Sequence, residues 1–424
     1  MKVWLAALLF SASLFGQVPQ FRDGDTVVFL GDSITHSRKW HKYVMDYYLT
    51  HFPDRKLGYV NAGISGDTAA GALRRLDRDV LAYHPTVVVT MLGMNDVKRD
   101  LYAPGPPSEA VLAKRKAALD AYRGNMRKIA LRLKESGVRD QILVISSPFD
   151  DTAAIETPNL PGVNAALQEC GVYLRELAAE IHASVVDFNT PMTTLNVEKQ
   201  KADPKFTLVG PDRVHPGDPG MLFMAYIFLT SQEVPAGLLE ATITGNTKIT
   251  AKALPVPVEK SARPALDWVP FDARFNAVKI RSAGLAPGKY EVQVDGVVAG
   301  SFDAVALEQG VPVVITATPQ YKAAEAVAAK NELRRQAMGT LRDILKFEEM
   351  IPAPLTEEKI EAWLGKLRDS QSPQLGYYTG LAAKYKKAKP LEEATRAEIA
   401  ALSKELAERN PEVVWNFQLA RAGN

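Results

Sequence analysis

The chain has little cysteine, little excess charge of either sign and no long apolar run after its first residues, and each shortage excludes a class of protein. One cysteine, Cys170, among 424 residues allows no intramolecular disulfide. Lysine and arginine number 51 against 49 acidic residues, so the net charge of +2 leaves no basic block suited to a nucleic-acid groove. We therefore expect a globular protein without a nucleic-acid partner or a stable membrane span.

The first residues have the layout of a secretory signal peptide. Lys2 supplies a positive charge, an apolar run extends from Val3 to Phe10, and small residues follow. The apolar run is too short to span a bilayer. We expect residues 1–17 to be a signal peptide and the protein to be exported, to the periplasm or the extracellular space.

Short apolar runs alternate with longer amphipathic stretches from residue 25 to about 235. The runs are TVVFLG, LGYVNAG, TVVVTMLG, QILVISS and SVVDFN. Strands that are continuously apolar, each followed by a helical pattern, favour a parallel sheet covered on both faces. This predicts a doubly wound α/β domain over residues 18–235.

The composition changes beyond residue 236. Residues 236–318 are rich in Thr and Pro and show period-two alternation interrupted by Pro-Gly and Asp-Gly, which predicts a small β-rich module. Residues 319–424 are dominated by Ala, Glu, Lys and Arg, which predicts a helical C-terminal region. Solvated packing helices are the simplest interpretation of this region. Wrapping around the α/β domain, dimerisation and contact with another envelope component stay open, as does the oligomeric state.

A serine follows the first predicted strand in VVFLGDSITH. In doubly wound sheets ligands bind at the carboxyl ends of strands, and Ser33 lies at such an end. Capping a helix is the ordinary role of a serine there. A nucleophilic serine needs in addition a base and a group that orients the base.

One of the six histidines lies in a loop with a carboxylate nearby. The six are His36, His41, His51, His84, His182 and His215. His215 lies in GPDRVHPGDPG, where no helix or strand pattern persists, and Asp212 is three residues upstream. In a turn this spacing lets the carboxylate reach Nδ1 and leaves Nε2 free for a serine. Such a pair is more often a surface feature, and the other five histidines suit packed or helix-end positions.

Two loops that follow strands offer donors for an oxyanion. NAGISGDT, with Gly63 and Gly66, follows the second strand, and MLGMND ends the third with Asn95. Glycines in such loops often serve turns, and Asn95 alone suits an Asx turn. Together with Ser33 and His215, however, these features all follow strands of one sheet, which favours catalysis.

The segments GDSI, NAGISGDT, GMND and DRVH resemble, in order and spacing, the four sequence blocks of the SGNH hydrolase superfamily, also called GDSL-type esterases and lipases. The resemblance covers about residues 25–235 and implies a flavodoxin-like three-layer sandwich. It implies Ser33 as nucleophile, His215 as base and Asp212 as the residue that orients the base. The implied oxyanion hole consists of the amides of Ser33 and Gly66 and the side chain of Asn95. No G-x-S-x-G occurs, which argues against the nucleophile elbow of α/β-hydrolases.

The resemblance implies ester hydrolysis through an acyl-enzyme, without a metal or an organic cofactor. The predicted signal peptide and β-rich module favour an exported esterase that removes acetyl or other short acyl groups from a small-molecule or polysaccharide ester. Aromatic residues expected near the mouth also fit, although they equally suit a core: Trp40, Tyr43, Tyr47, Tyr48 and Tyr102. The alternatives are a lipid or thioester acylhydrolase and, less favoured by the complete residue set, a non-catalytic glycan-binding envelope protein.

Overall fold

The computed structural model describes residues 17–37, 39–351 and 355–422. The predicted signal peptide, residues 1–17, lies outside the described residues except for Gln17. The described chain divides into two compact units. The first unit comprises residues 17–20, Thr68–Val214 and Ile227–Glu233, and the second comprises Phe21–Asp67, His215–Tyr226 and residues 234–422.

Each of the five apolar runs forms a strand of one sheet. The strands are β1 (Thr26–Gly31), β2 (Gly58–Gly63), β3 (Val87–Met91), β4 (Asp140–Ile145) and β5 (Ser184–Asp187). Their order, β2-β1-β3-β4-β5, is that of flavodoxin-like folds. The pairs β1–β2, β3–β4 and β4–β5 are parallel, and all five residues of β3 are buried. The predicted flavodoxin-like α/β fold is confirmed.

Helices follow the strands of this sheet. They are α1 (Ser33–Ser37), α2 (Trp40–His51), α3 (Ala69–Arg74), α4 (Leu76–Asp79), α5 (Glu109–Glu135), α6 (Val163–Ile181), α7 (Asn189–Gln200) and α8 (Asp218–Ser231). Side-chain caps define where two of them begin, because the hydroxyls of Thr68 and Ser108 accept hydrogen bonds from the first-turn amides of α3 and α5. The sequence analysis did not anticipate α7, whose three threonines and one proline weaken the helical signal.

A β-rich module follows the α/β domain in the sequence, and the prediction of strands for this part of the chain is confirmed. It contains β6 (Leu239–Thr242), β7 (Asn246–Ala251), β8 (Val278–Arg281), β9 (Lys289–Val294), β10 (Val297–Asp303), α9 (Ala304–Gln309) and β11 (Val311–Val313). Asp295 and Gly296 join β9 to β10 with φ angles of 49° and 78°. Positive φ at both central residues is what a two-residue hairpin turn of type I′ requires, so the Asp-Gly signal marks this hairpin.

The C-terminal region is helical up to residue 408 and then returns to the β-rich module. Its elements are α10 (Pro319–Met350), α11 (Glu357–Asp369), α12 (Leu375–Ala388), α13 (Glu392–Glu408) and β12 (Val413–Arg421). The expectation of helix throughout residues 319–424 is therefore wrong for β12. This strand lies between β9 and β7 and pairs antiparallel with both, burying Trp415 and Phe417 in the core of the module.

Within the second unit, α10 packs against α2 and β2 through a buried polar network. The side-chain amide of Asn331 donates to Asp46 Oδ1 at 2.7 Å, and Arg334 donates to Asn331 Oδ1 at 2.7 Å. Asp46 also accepts from Lys42 Nζ at 2.7 Å, and all four side chains are at most 2% exposed. Of the possibilities left open for the C-terminal helices, packing on elements of the α/β domain is the one observed. None of the described helices is long and apolar enough to cross a bilayer.

Candidate active site

Ser33 begins α1 immediately after β1, and a tight turn holds it there. The buried carboxylate of Asp32 accepts a hydrogen bond from the Ile34 amide at 2.9 Å, and the Asp32 carbonyl accepts one from the His36 amide at 2.8 Å. The end of β2 approaches this turn so closely that a Cβ on Gly63 would lie 2.3 Å from the His36 nitrogen. Glycine at 63 therefore serves the packing of α1.

Ser33 and His215 meet although they are 182 residues apart in the sequence. The Oγ of Ser33 lies 2.7 Å from Nε2 of His215, which is hydrogen-bond distance. The imidazole is only partly buried. A neutral imidazole with Nε2 unprotonated at this position can accept the serine proton. The structure thus brings together the two side chains that the sequence analysis selected as candidate nucleophile and base.

Gly66 lies in the loop after β2 and has an available amide. Its φ is +83°, a conformation that favours glycine, and a Cβ there would meet nothing within 4 Å. No described residue accepts a hydrogen bond from the exposed Gly66 amide. The neighbouring Ser65 amide, by contrast, donates to Nδ1 of His36 at 3.1 Å. Gly63 ends β2 and its amide donates to Asn61 Oδ1 at 2.9 Å, so Gly66 is the glycine of NAGISGDT with an amide suited to a ligand.

Asn95 and Asp212 belong to the first unit, where each lies in a turn. Asn95 is half-buried after β3, in a turn where its carbonyl accepts from the Lys98 amide at 3.3 Å. Asp212 is exposed, and its Oδ1 accepts from the Val214 amide at 3.0 Å. This Asx-type turn shapes the chain directly before His215.

The sequence analysis missed the role of Arg213. This residue is 3% exposed and has a left-handed backbone, with φ of 63°. Its guanidinium donates to four backbone carbonyls, which belong to Asp150, Ala153, Ile155 and Thr157. Arg213 therefore anchors the segment that carries Asp212. Only the long-range contacts reveal this role, because an arginine in a Gly- and Pro-rich loop carries no local signal for it.

The aromatic residues expected near the mouth lie in the core. Each is at most 4% exposed: Trp40, Tyr43, Tyr47, Tyr48 and Tyr102. On α2, for example, Tyr48 stacks on Phe21 and Trp40 packs edge-on against Phe29. Packing, the second interpretation given above, is the right one. These rings do not form a platform for a sugar.

Two further histidines are buried and neutral. Burial lowers the pKa of His41 to about 3, and its Nε2 lies 2.8 Å from the Thr35 carbonyl. Burial likewise lowers the pKa of His51 to about 4, and its Nε2 lies 2.8 Å from the Phe275 carbonyl. Both imidazoles donate to a carbonyl as neutral groups, so they serve the structure of the second unit.

Other reactive groups are inert or dispersed. Burial raises the pKa of Cys170 to about 12, so its thiol is not a nucleophile at neutral pH. Within the described ranges, no three His, Cys, Asp or Glu side chains converge as ligands for a metal ion.

A serine paired with a histidine after β1 of a flavodoxin-like sheet has the layout of a serine hydrolase site. Residues 29–222 match the model of the GDSL-like Lipase/Acylhydrolase family. This part of the chain is therefore similar to that family, which supports a place in the SGNH hydrolase superfamily, and the protein is a carboxylic ester hydrolase.

Two relatives extend the comparison. An acetylxylan esterase of Geobacillus stearothermophilus is 27% identical over 225 residues, which are 49% of this chain and 93% of that one. The solved structure of a gut microbial diltiazem-metabolizing enzyme is 28% identical with a TM-score of 0.82, over 96% of this chain and 99% of that chain. The second likeness therefore includes the β-rich module and the C-terminal helices.

Proposed function

We propose that this chain is an exported carbohydrate esterase that removes acetyl or other short acyl groups through a Ser-His-Asp triad. The observation that carries the proposal is the 2.7 Å distance between Ser33 Oγ and His215 Nε2. The likeness to an acetylxylan esterase supports the choice of substrate class. The apolar, small-residue pattern of residues 1–17 supports export.

The first half-reaction transfers the acyl group to the serine. Ser33 Oγ attacks the ester carbonyl carbon while His215 Nε2 takes the hydroxyl proton, and the carbonyl electrons move onto oxygen. The amides of Ser33 and Gly66 and the side chain of Asn95 stabilise this oxyanion. Asp212 holds the imidazolium through Nδ1. The intermediate then collapses, and the leaving alcohol oxygen takes the proton from His215.

The second half-reaction releases the acid. Water attacks the acyl-enzyme carbonyl while His215 takes a proton from it, and the same donors stabilise the second oxyanion. When this intermediate collapses, the Ser33 oxygen leaves and regains its proton from His215. The products are a carboxylic acid, acetic acid for an acetyl ester, and the deacylated carbohydrate.

Hydrolysis of 4-nitrophenyl acetate by the wild type and by Ser33→Ala tests the triad. We expect the variant to lose about a thousandfold or more in kcat, the scale on which triad members act. The exposed Ser136 at the end of α5 provides the matched control, and Ser136→Ala keeps wild-type activity. An inactive wild type, or a fully active Ser33→Ala, contradicts the proposal and favours glycan binding.

The acyl length separates the proposal from its main alternative. A carbohydrate acetylesterase hydrolyses 4-nitrophenyl acetate faster than the octanoate and releases acetate from acetylated xylan. Faster turnover of the octanoate supports a lipid or thioester acylhydrolase. The N-terminal sequence of the protein from an envelope fraction tests export, because removal of about the first 17 residues is expected.

A second candidate substrate class is a small drug-like molecule. The full-length likeness to a diltiazem-metabolizing enzyme favours it, since that likeness covers the β-rich module and the helical region as well. Chromatography of diltiazem incubated with wild type and Ser33→Ala tests it, and Ser33-dependent turnover is the supporting result.

A further inference from the structure

The second unit contains a cavity of about 620 Å³ beside the nucleophile. His36 of α1 and Ser65 form one wall, and α10 and α12 form the other. Residues three apart on a helix have Cβ atoms about 5–6 Å apart, so His36 places this wall close to Ser33. Small-molecule sites have volumes of about 300–1,000 Å³, and this cavity falls within that range.

Three helical glycines keep the cavity open. Gly339 lies in α10, Gly376 and Gly380 lie in α12, and all three line the cavity. A Cβ on any of them would meet no atom within 4 Å, so helix packing does not require glycine there. Glycine inside a helix is less stable than alanine. Glycine thus lowers the stability of the helix locally at three positions. The space that larger side chains would occupy there is part of the cavity.

Two lysines give the cavity its charge. Lys346 is 8% exposed, its ammonium donates to the hydroxyl of Tyr377, and Lys384 of α12 also lines the cavity. Neither ammonium has a carboxylate within 4 Å anywhere in the described ranges. On the same helix, Lys386 forms an ion pair with Glu361 at 2.9 Å. The lysines that face the cavity therefore differ from their paired neighbour. Asp343 is the one carboxylate among the lining residues, and the charges of Lys384 and Lys346 both act on it. Two ammonium groups against one carboxylate leave an excess of positive charge, which suits an anionic ligand.

The other charged groups of the cavity have partners of their own. Arg335 donates two hydrogen bonds to Glu332, both of 2.8 Å. Asp343 Oδ1 lies 3.4 Å from Nε2 of His36. Because Nδ1 of His36 accepts the Ser65 amide, the proton of the neutral imidazole is on Nε2 and faces Asp343. With Arg335 paired to Glu332 and one carboxylate facing two ammonium groups, the uncompensated charge of the cavity lining is positive and comes from Lys346 and Lys384.

We propose that this cavity is a substrate subsite in which Lys346 and Lys384 bind a carboxylate carried by the carbohydrate part of the ester. The inference rests on the proposed function, since it names a feature of the substrate of that same site. The position beside α1 suits it, because His36 of the cavity wall lies about one helical turn from Ser33, the residue that the proposed reaction acylates. Two ammonium donors and a hydroxyl suit a carboxylate, whose oxygens accept charge-assisted hydrogen bonds.

A matched pair of esters tests the subsite. A mono-O-acetylated methyl glucuronide and the corresponding methyl glucoside differ only in a carboxylate against a hydroxymethyl group. We expect wild-type kcat/KM to be about tenfold or more higher for the acidic ester, which is the scale of one charge-assisted hydrogen bond. In Lys384→Met this ratio falls close to one. The exposed position of Lys384 keeps the test valid even where the buried Lys346→Met fails to fold.

A second pair of variants tests the role of the glycines. Gly380→Leu fills the cavity, so we expect kcat/KM for the acidic ester to fall at least tenfold. Gly365 is a helical glycine of α11, where a Cβ also meets nothing within 4 Å, and it lies outside the cavity. Gly365→Leu keeps wild-type kinetics. Equal effects of the two substitutions overturn the assignment.

Binding separates failure of this inference from failure of the proposed function. Calorimetry with unacetylated methyl glucuronide needs no catalysis and is made on Ser33→Ala and on Ser33→Ala with Lys384→Met. Binding that depends on Lys384 supports the subsite even where 4-nitrophenyl acetate is not hydrolysed. Where that ester is hydrolysed but methyl glucuronide does not bind, the subsite is wrong and the esterase stands. Equal binding of methyl glucoside, or tighter binding of inorganic phosphate, also overturns the carboxylate assignment.

Discussion

At the scale of the residue, the same side chain has different roles according to its surroundings. His215 is partly buried and faces Ser33, whereas His36 faces Ser65 and Asp343 at the wall of a cavity. His41 and His51 are buried and donate to carbonyls. Burial and hydrogen-bond partners, rather than residue type, therefore decide which imidazole is placed for proton transfer.

The two buried histidines predict that the fold is less stable in mild acid. Their native pKa values of about 3 and 4 lie below the ordinary value of 6.5, so the unfolded chain takes up protons first as pH falls. The stabilisation is present above pH 6.5 and is lost towards acid, by about 2 kcal/mol for each histidine between pH 7 and pH 5. Urea unfolding at the two pH values measures this loss.

Variants assign the effect to the residues concerned. In His51→Gln the difference in unfolding free energy between pH 7 and pH 5 shrinks by about 2 kcal/mol, one histidine's contribution. The exposed His182 is the control, and His182→Asn suits its left-handed backbone and leaves the difference unchanged. If His51→Gln kept the wild-type difference in unfolding free energy between pH 7 and pH 5, His51 would not be a source of the pH dependence.

At the scale of the element, α10 joins the C-terminal region to α2 and β2. The joint is polar: Asn331 is fully buried and connects Asp46 of α2 with Arg334. Arg334 also lies over the ring of Tyr59 in β2, 4.9 Å from its centroid. Burial lowers the pKa of Arg334 to about 10, so its guanidinium is charged at neutral pH. The charges of Asp46 and Arg334 are stabilised by their hydrogen bonds to Asn331, because both side chains are buried away from water.

Removing Asn331 therefore weakens the fold. In Asn331→Ala, Asp46 and Arg334 each lose a buried partner, and we expect the free energy of unfolding to fall by about 3 kcal/mol. Urea titration followed by circular dichroism measures it. Lys330→Ala is the control on the same helix, because its ion pair with Glu405 is about half exposed and contributes under about 1 kcal/mol. Similar losses of unfolding free energy in the two variants would show that the buried polar network does not stabilise the fold.

At the scale of the whole molecule, the last strand completes a sheet begun much earlier in the chain. β12 lies between β7 and β9, and Trp415 pairs with Ile249 while Phe417 pairs with Val294. Such long-range pairing carries a loop-closure cost, because more than 110 residues separate β12 from β9 and more than 160 separate it from β7. The β-rich module is thus not a segment that ends at residue 318.

Deletion of residues 413–424 is expected to open the β-rich module. It removes an interior strand together with the buried Trp415 and Phe417, and loss of one such aromatic side chain already costs about 3–5 kcal/mol. Hydrogen exchange measured by mass spectrometry should show lost protection in β7 and β9. Val414→Thr, a change at a partly exposed position of the same strand, retains it. Protection of β7 and β9 in the truncated chain would refute this role for β12.

Signals contained in a few neighbouring residues were sufficient for much of the fold. The five parallel strands follow from short apolar runs, and the hairpin at Asp295 and Gly296 follows from a dipeptide with the required φ angles. β12 was not predicted, because nine residues after a helical stretch carry a weak pattern and their pairing partners lie far upstream. The buried aromatic residues of α2 were ambiguous, because the same spacing suits a core and a binding face.

The sequence by itself determined the α/β sheet, because each strand is a short apolar run. It also made Ser33 and His215 candidates for a catalytic pair, because both lie in short segments that resemble the family's sequence blocks. The catalytic roles of Ser33, His215, Asp212, Asn95 and Gly66 stay predictions. Only the tertiary structure decided that His215 Nε2 lies 2.7 Å from Ser33 Oγ and that His36 faces a cavity closed by α10 and α12. The physical reason is that burial, charge balance and empty space are properties of segments brought together from distant parts of the chain, and no local pattern encodes them.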